Sequence, residues 1–508
     1  MSLQDTGLFN TETIDDSESA NGLSRTNKLV SKRDSPVSRH GSIAESRLET
    51  AFRQLVDAIR HQLKPQKHIQ FTVSLAGEET EFVRFNGSQV RQTGHVQDGQ
   101  IVVTLMGTRP SASDCRTNSM TLPFTGEFVS DWAMLEPALC RLLAELAYLP
   151  SDHYAVLPNS NPGHPADARS REVYTGELLS GDRLVKAILD PVQFLDFSGL
   201  YAGGSAYRAY ADSAGKQHWF ETPSFTLDYS LFGEQDNKAT PHRAVKGTLA
   251  GKVWDSKAYA DHIFTTAKRL RLLSTPVKAI PRGSYRTYLA PAAVADLMDT
   301  IVWGGGLGES ALRQGNSAFS QLEQGKVRLS EKFSLQEDFQ RVAIPRFNSI
   351  GEFAPARLPV IKQGRWINSL VNSRSAKEYG KASNGANAEE AMRVPAVAGG
   401  TLDEADILSA LGTGLYLSNL HYLNWSDLNA GRITGMTRYA CFWVEAGEIV
   451  APIENLRFDD DLYRFLGEGL IDLTRQQTFL PAVGTYDRRS LGGMWMPGML
   501  IDQFRYTL

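Results

Sequence analysis

The stretch Ile69-Gln70-Phe71-Thr72-Val73-Ser74-Leu75 alternates apolar and polar side chains one by one, the period of a strand with a single buried face. Just before it, Leu48, Phe52, Leu55, Val56, Ile59 and Leu63 recur at helical spacing across Ala44–Leu63, and Pro65 closes that helix. Downstream, Phe82–Phe85 and Gln89–Gln92 flank Asn86-Gly87, a type I′ hairpin signal. Asp98-Gly99 predicts a second turn before a strand at Ile101–Met106. A further helix is expected over Trp132–Leu149, with Leu135, Leu139, Leu142, Leu143 and Leu146 on one face. Helix, antiparallel strands, helix: this order predicts an α+β N-terminal domain.

Working outward, residues 1–43 are polar and Ser-rich, with Phe9 their one aromatic, and are read as a disordered tail. The organisation expected is the tail 1–43, an N-terminal α+β domain 44–150, a loop at Pro150–Asp167, a middle segment 168–274 and a strand-rich C-terminal domain 275–508. In the middle segment, Tyr207–Tyr210 and His218–Phe225 read as strands around Asp212-Ser213-Ala214-Gly215, and Asp255–Leu273 as a helix. The C-terminal domain is interrupted by a helix at Pro291–Val302 and by a Gly/Ala/Asn-rich stretch at Ala376–Gly400, which is expected to be a mobile loop. Asn429-Ala430-Gly431 and Ala446-Gly447 punctuate hairpins.

The 508 residues carry 53 Lys+Arg against 57 Asp+Glu, a formal charge of −4, with 42% apolar and 22% charged residues. This is the composition of a globular protein of two to four domains, without the basic field that nucleic acid or an anionic membrane surface requires. Cys115, Cys140 and Cys441 are too few for a disulfide framework and point to a reducing compartment. No secretory signal is read at the N-terminus, and the apolar stretch Leu289–Leu307 is broken by Asp296 and Asp299, so a cytoplasmic protein is expected.

None of the ten histidines is followed by Glu, so the usual helical zinc-hydrolase motif is missing, and no G-x-S-x-G elbow anchors a serine hydrolase. Gly304-Gly305-Gly306-Leu307-Gly308 lacks phosphate-loop spacing and reads as a flexible connection. Cys441 lies in a strand-like run, where a buried inert thiol is expected. Asp459, Asp460 and Asp461 read as a solvated loop. Only His421, with Asn419, Tyr422, Trp425 and Asp427 so near, stands out as a functional candidate.

The C-terminal third carries three spaced blocks. Gly431-Arg432-Ile433-Thr434-Gly435-Met436-Thr437-Arg438 is followed by Val444-Glu445-Ala446-Gly447-Glu448-Ile449, then by Pro452-Ile453-Glu454-Asn455-Leu456-Arg457-Phe458. In order and spacing this resembles the signature of the TldD/PmbA family, the modulator-of-gyrase metalloproteases. With weaker matches at Phe82–Gln92, Tyr207–Tyr229 and Leu297–Leu335, the resemblance spans roughly Ser46–Leu508. Catalytic members carry an H-E-x-x-x-H helix and a Cys near the C-terminus. Here the corresponding helix, Pro291–Trp303, holds neither His nor Glu, and Gly484–Leu508 holds no Cys.

The resemblance therefore implies a metal-free, TldE/PmbA-like subunit that binds no cofactor of its own, with zinc in a TldD-like catalytic partner. It also implies a cytoplasmic heterodimer that takes in unfolded peptides as extended strands for degradation or maturation, with no nucleic-acid or membrane partner. Asn419, His421, Tyr422, Trp425 and Arg438 are the peptide- or partner-facing candidates, and no catalytic or metal-binding residue is assigned. Two other readings stand beside it: a peptide-binding homodimer without proteolysis, and a divergent hydrolase using His421 and Asp427.

Overall fold

The computed structural model describes residues 44–108, 115–158, 168–233 and 243–507. The tail 1–43 and part of the loop Pro150–Asp167 lie outside the described residues. In the N-terminal half the elements run α1 (Arg47–Leu63), β1 (Ile69–Asn86), β2 (Gln89–Thr108), β3 (Cys115–Pro123), α2 (Phe128–Leu146), β4 (Arg169–Val173), α3 (Gly181–Leu189), β5 (Asp196–Asp212), β6 (Gln217–Phe232), β7 (Ala244–Gly251) and α4 (Ser256–Leu272). The helices begin where the sequence offers caps: Ser46 Oγ accepts the Glu49 N–H, and Asp255 Oδ1 accepts that of Ala258.

The seven strands form one sheet in the order β3-β2-β1-β5-β6-β4, with β7 also on β6; only the β4–β6 pair is parallel. The middle segment 168–274 thus supplies β4 to β7 to the same sheet. The odd-numbered β1 residues Phe71, Val73 and Leu75 are buried with Phe52, Leu55 and Leu139 of α1 and α2. Val83 and Phe85, on the same face, pack with Leu184 and Ile188 of α3 and Tyr259 and Ile263 of α4. Four helices therefore cover one face of the sheet.

Two turn expectations need correction. The first hairpin closes on Gly87 and Ser88, both at positive φ (57° and 56°), while Asn86 is the last paired residue of β1, opposite Gln89. Asp98-Gly99 makes no turn. It lies inside β2, where Gly99 faces Gly77 of β1, because the Tyr207 side chain occupies the space a Cβ at either glycine would need.

The C-terminal half contains β8 (Gly283–Leu289), α5 (Pro291–Gly304), α6 (Glu309–Gln314), α7 (Ser320–Glu323), β9 (Leu335–Asp338), β10 (Arg357–Lys362), β11 (Arg365–Trp366), α8 (Ser373–Tyr379) and β12 (Pro395–Val397). It continues with α9 (Ile407–Leu411), β13 (Gly414–Leu417), β14 (Asn419–Asp427), β15 (Arg432–Arg438), β16 (Phe442–Glu445), β17 (Glu448–Pro452), β18 (Arg457–Asp461), α10 (Leu462–Phe465), β19 (Leu470–Pro481) and β20 (Gly493–Tyr506). The second sheet has thirteen strands, with β20 at its hub, pairing β8, β12, β18 and β19. Its core gathers Leu297, Met298 and Ile301 of α5 with Leu415, Ile433, Phe458, Met499 and Phe504. The fold is α+β: helices on an antiparallel-dominated sheet, then a strand-rich half.

Three further expectations change here. Ala376–Gly400 is not a loose loop: it includes the end of α8 and β12, and Glu390, 5% exposed, accepts from the Ser310 and Asn372 N–H groups and the Ser375 hydroxyl. Arg393 adds four backbone bonds, to the carbonyls of Pro345, Phe347, Arg346 and Gly385. Asp459–Asp461 belongs to β18, where Asp460 is buried and paired with Arg464, and Asp459 pairs with Arg432. Gly305 and Gly306 are pressed against the Ile301 and Asn316 carbonyls, with no room for a Cβ, so this connection is packed.

The uncovered face of the first sheet receives the C-terminal half. His218, fully buried, stacks on Phe347 at 5.0 Å and on Tyr210 at 6.1 Å, and shares a 2.9 Å hydrogen bond with Ser170. Arg374 pairs with Asp152, and Lys377 donates to the Ala155 carbonyl. Among the described residues, no helix is long and apolar enough to cross a membrane.

Candidate functional site

The strand β8 leads directly into α5, whose start is pinned by the Ala290 N–H donating to the Leu417 carbonyl at 2.9 Å. Pro291 occupies the first turn, where its missing N–H costs nothing. Ala293, Val294, Leu297, Met298, Ile301 and Val302 form the buried stripe of α5. Asp296, Asp299 and Trp303 stand off that stripe, and Trp303 is 82% exposed.

Asp296 is the best-connected of these. Its Oδ2 accepts the Leu420 N–H at 2.9 Å and the Asn419 side-chain amide at 3.3 Å. Burial pushes its carboxyl up to about 6, against the lowering effect of those two donors and of Lys246, while Asp299 adds a small rise. Burial also raises Asp299. Lys246 comes from β7, in the other half of the molecule, and pairs with Asp228 of β6 at 3.2 Å. The Asp228 carboxyl is itself raised by burial. His421 is held below the ordinary histidine range by desolvation, then by the Arg438 and Lys246 charges. Groups from both halves of the chain thus influence one another's protons across a single junction.

Of the five residues singled out by sequence, four lie around this junction. Asn419 bonds Asp296, and Arg438 is its register partner across β14 and β15. His421 and Tyr422 lie next along β14, with ring centroids 4.0 Å apart. Tyr422 adopts φ +51° and is 73% exposed, where the β14–β15 register slips between His421 and Asn424. A bulky residue in the left-handed region is uncommon and costs of order 1–3 kcal/mol, so the surrounding strands must hold it there. Trp425 differs: it packs against the C-terminal core, with its indole beside Gly304 at the end of α5.

His421 and Asp427 are not brought together. Asp427 instead accepts the Ala430 N–H within the hairpin turn. Cys441 is buried and its thiol is pushed up to about 11, the inert state expected of it. Asp228, Lys246, Asp296 and Asp299 were not among the sequence candidates. For the two on α5 a signal existed: two carboxylates three positions apart on an otherwise apolar helix. For Asp228 and Lys246 nothing in the sequence announces the contact.

Among the described residues no group of three or more His, Cys, Asp and Glu side chains is arranged to hold a metal ion. A zinc site on α5 does not fit what the helix presents: the half-buried Asp296 carboxylate is committed to β14, and Asp299 is exposed. What the junction offers is backbone donors on a strand edge, titrating carboxyls and exposed aromatic rings.

Residues 282–507 match the family model of the PmbA/TldA metallopeptidase C-terminal domain. Three solved structures share the fold. TldE from Thermococcus kodakarensis has 12% identity and a TM-score of 0.68, covering 90% of this chain and 100% of its own. A protein described as a modulator of a DNA gyrase from Thermotoga maritima has 12% identity and a TM-score of 0.67, with the same coverage. Another so described, from Bacteroides thetaiotaomicron, has 13% identity and a TM-score of 0.68, covering 89% of this chain and 98% of its own. No curated protein matches the sequence at a significant level.

Proposed function

We propose that this chain, whose residues 282–507 match the PmbA/TldA metallopeptidase C-terminal domain, is a metal-free, TldE-like subunit that presents extended peptides to a zinc-bearing partner. One observation carries the reading. In the family domain, the off-core positions of α5 hold Asp296, Asp299 and Trp303, and the helix offers no His, Cys or Glu to a metal. A hydrolytic zinc needs about three protein ligands, so the activating metal would be held by the partner, where it polarises a carbonyl and generates the attacking water.

The contribution of this chain is then binding and orientation. A strand edge recognises any peptide in extended form through backbone bonds, and exposed rings add apolar contacts without demanding one sequence. Unfolded peptide is the matching substrate class. A TldD-like subunit from the same cell, bearing H-E-x-x-x-H, is the matching partner.

Co-expression with such a relative tests this. Co-purification of the two, with casein cleavage that needs both chains, is the expected result. Cleavage by the relative at an unchanged rate without this chain would refute the assignment.

A further inference from the structure

Among the described residues, strand β14 pairs on one side only, with β15, and its other edge has no strand partner. Leu420 lies opposite Thr437, whose own N–H turns away from β14 to the Leu456 carbonyl at 2.9 Å. Opposed residues in such a pair aim their backbone groups outward together. The Leu420 N–H therefore points off the free edge of β14, and there it meets the Asp296 carboxylate at 2.9 Å. Beyond it the β14–β15 register slips between His421 and Asn424, and Tyr422 there is exposed. An outward-facing donor on an unpaired strand is a template for another strand. Here the first donor of that template is already occupied by the chain itself.

We propose that Asp296 is a self-blocking contact: its carboxylate fills the edge donor of Leu420, and an extended peptide adds to β14 only when that contact is released. This rests on the reading that the chain handles extended peptides, and gives that reading a control point. Asp299 on α5 and Lys246 on β7, with its partner Asp228 on β6, act on the Asp296 carboxyl, while Lys246 and Arg438 of β15 act on His421 of β14. A charged carboxylate is a stronger acceptor than a neutral carboxylic acid. With the Asp296 carboxyl pushed up to about 6, mild acid weakens the contact, and so does substitution.

The test uses the full chain and a fluorescein-labelled twelve-residue peptide of Thr, Val and Ser, followed by anisotropy at pH 7.5 and pH 5.0. Loss of one hydrogen bond to a charged group corresponds to about tenfold in affinity, so the unaltered chain should bind about tenfold tighter at pH 5.0. Asp296→Ala should bind tightly at both pH values. Asp296→Asn, which keeps a carbonyl acceptor and the shape, should be intermediate and independent of pH. Bound peptide should slow amide exchange in residues 419–425. Equal binding by the unaltered chain and Asp296→Ala at pH 7.5, or protection confined elsewhere, overturns the self-block and leaves the peptide reading standing. No binding by any variant overturns both.

Discussion

Arg489, on the connection between β19 and β20, donates through Nη1 to the Ser224 carbonyl of β6 at 2.6 Å, fastening the end of the chain into the middle of the N-terminal sheet. The same guanidinium reaches the Ser224 hydroxyl at 2.8 Å and the Gly204 carbonyl at 2.8 Å, while its backbone N–H donates to Glu78 at 3.1 Å. Beside it Arg488 pairs with Asp98 at 2.8 Å. Arg489 is 2% exposed. The two halves are thereby held in register, and it is this register that places Lys246 near Asp296 and His421.

Replacing Arg489 with Ala should be severe. It leaves the buried Glu78 carboxylate and two carbonyls with fewer donors, and breaking a buried pair from one side costs about 3–5 kcal/mol. Thermal unfolding should fall by many degrees or split into two steps. A change of less than about 1 kcal/mol would show that other contacts hold the halves together.

Gly351→Ala probes the second seat between the halves. Gly351 has φ +72°, and a Cβ there would lie 2.0 Å from the Tyr210 ring. Left-handed strain of about 1–2 kcal/mol adds to overpacking of about 1–3 kcal/mol. Denaturant unfolding should register about 2 kcal/mol or more, and a neutral result would mean Tyr210 swings aside freely.

Asp296→Asn should change the pH profile of stability. A carboxyl raised from 3.8 to about 6 on folding favours the folded state fully only below its unfolded value, and that contribution is lost as pH rises through about 6. The difference in stability, Asn variant minus unaltered chain, should therefore grow between pH 4 and pH 6.5, by at most about 3 kcal/mol for a two-unit shift. Melting curves across that range check it. A constant difference would place the Asp296 carboxyl at its ordinary value.

Leu297→Ala tests whether α5 is a pillar of the C-terminal core. Leu297 is fully buried among sheet residues. Truncation should cost about 2–5 kcal/mol, whereas Trp303→Ala, on the exposed side, should cost under about 0.5 kcal/mol.

How much of this was legible in the sequence follows from range. The stripe Leu48–Leu63 and the alternation Ile69–Leu75 are local patterns and became α1 and the start of β1 as read. Asp98-Gly99 misled because a strand glycine and a turn glycine look alike until the Tyr207 ring, over a hundred residues away, is known to need the space. Ala376–Gly400 looked loose because its small polar residues are ordered by distant groups: Glu390 bonds Ser310, and Arg393 reaches Pro345. The candidate strand β14 was readable from its aromatic residues. Its neighbours Asp228 and Lys246 were not, since they reach the site only through the docking of one half on the other.

The most direct test of the central claim is zinc content together with casein cleavage, measured on this chain purified alone without a metal-binding tag, and again after mixing with an H-E-x-x-x-H-bearing relative. The account predicts negligible zinc and no cleavage alone, and cleavage once the relative is present. Near-stoichiometric zinc with cleavage by the chain alone would contradict it.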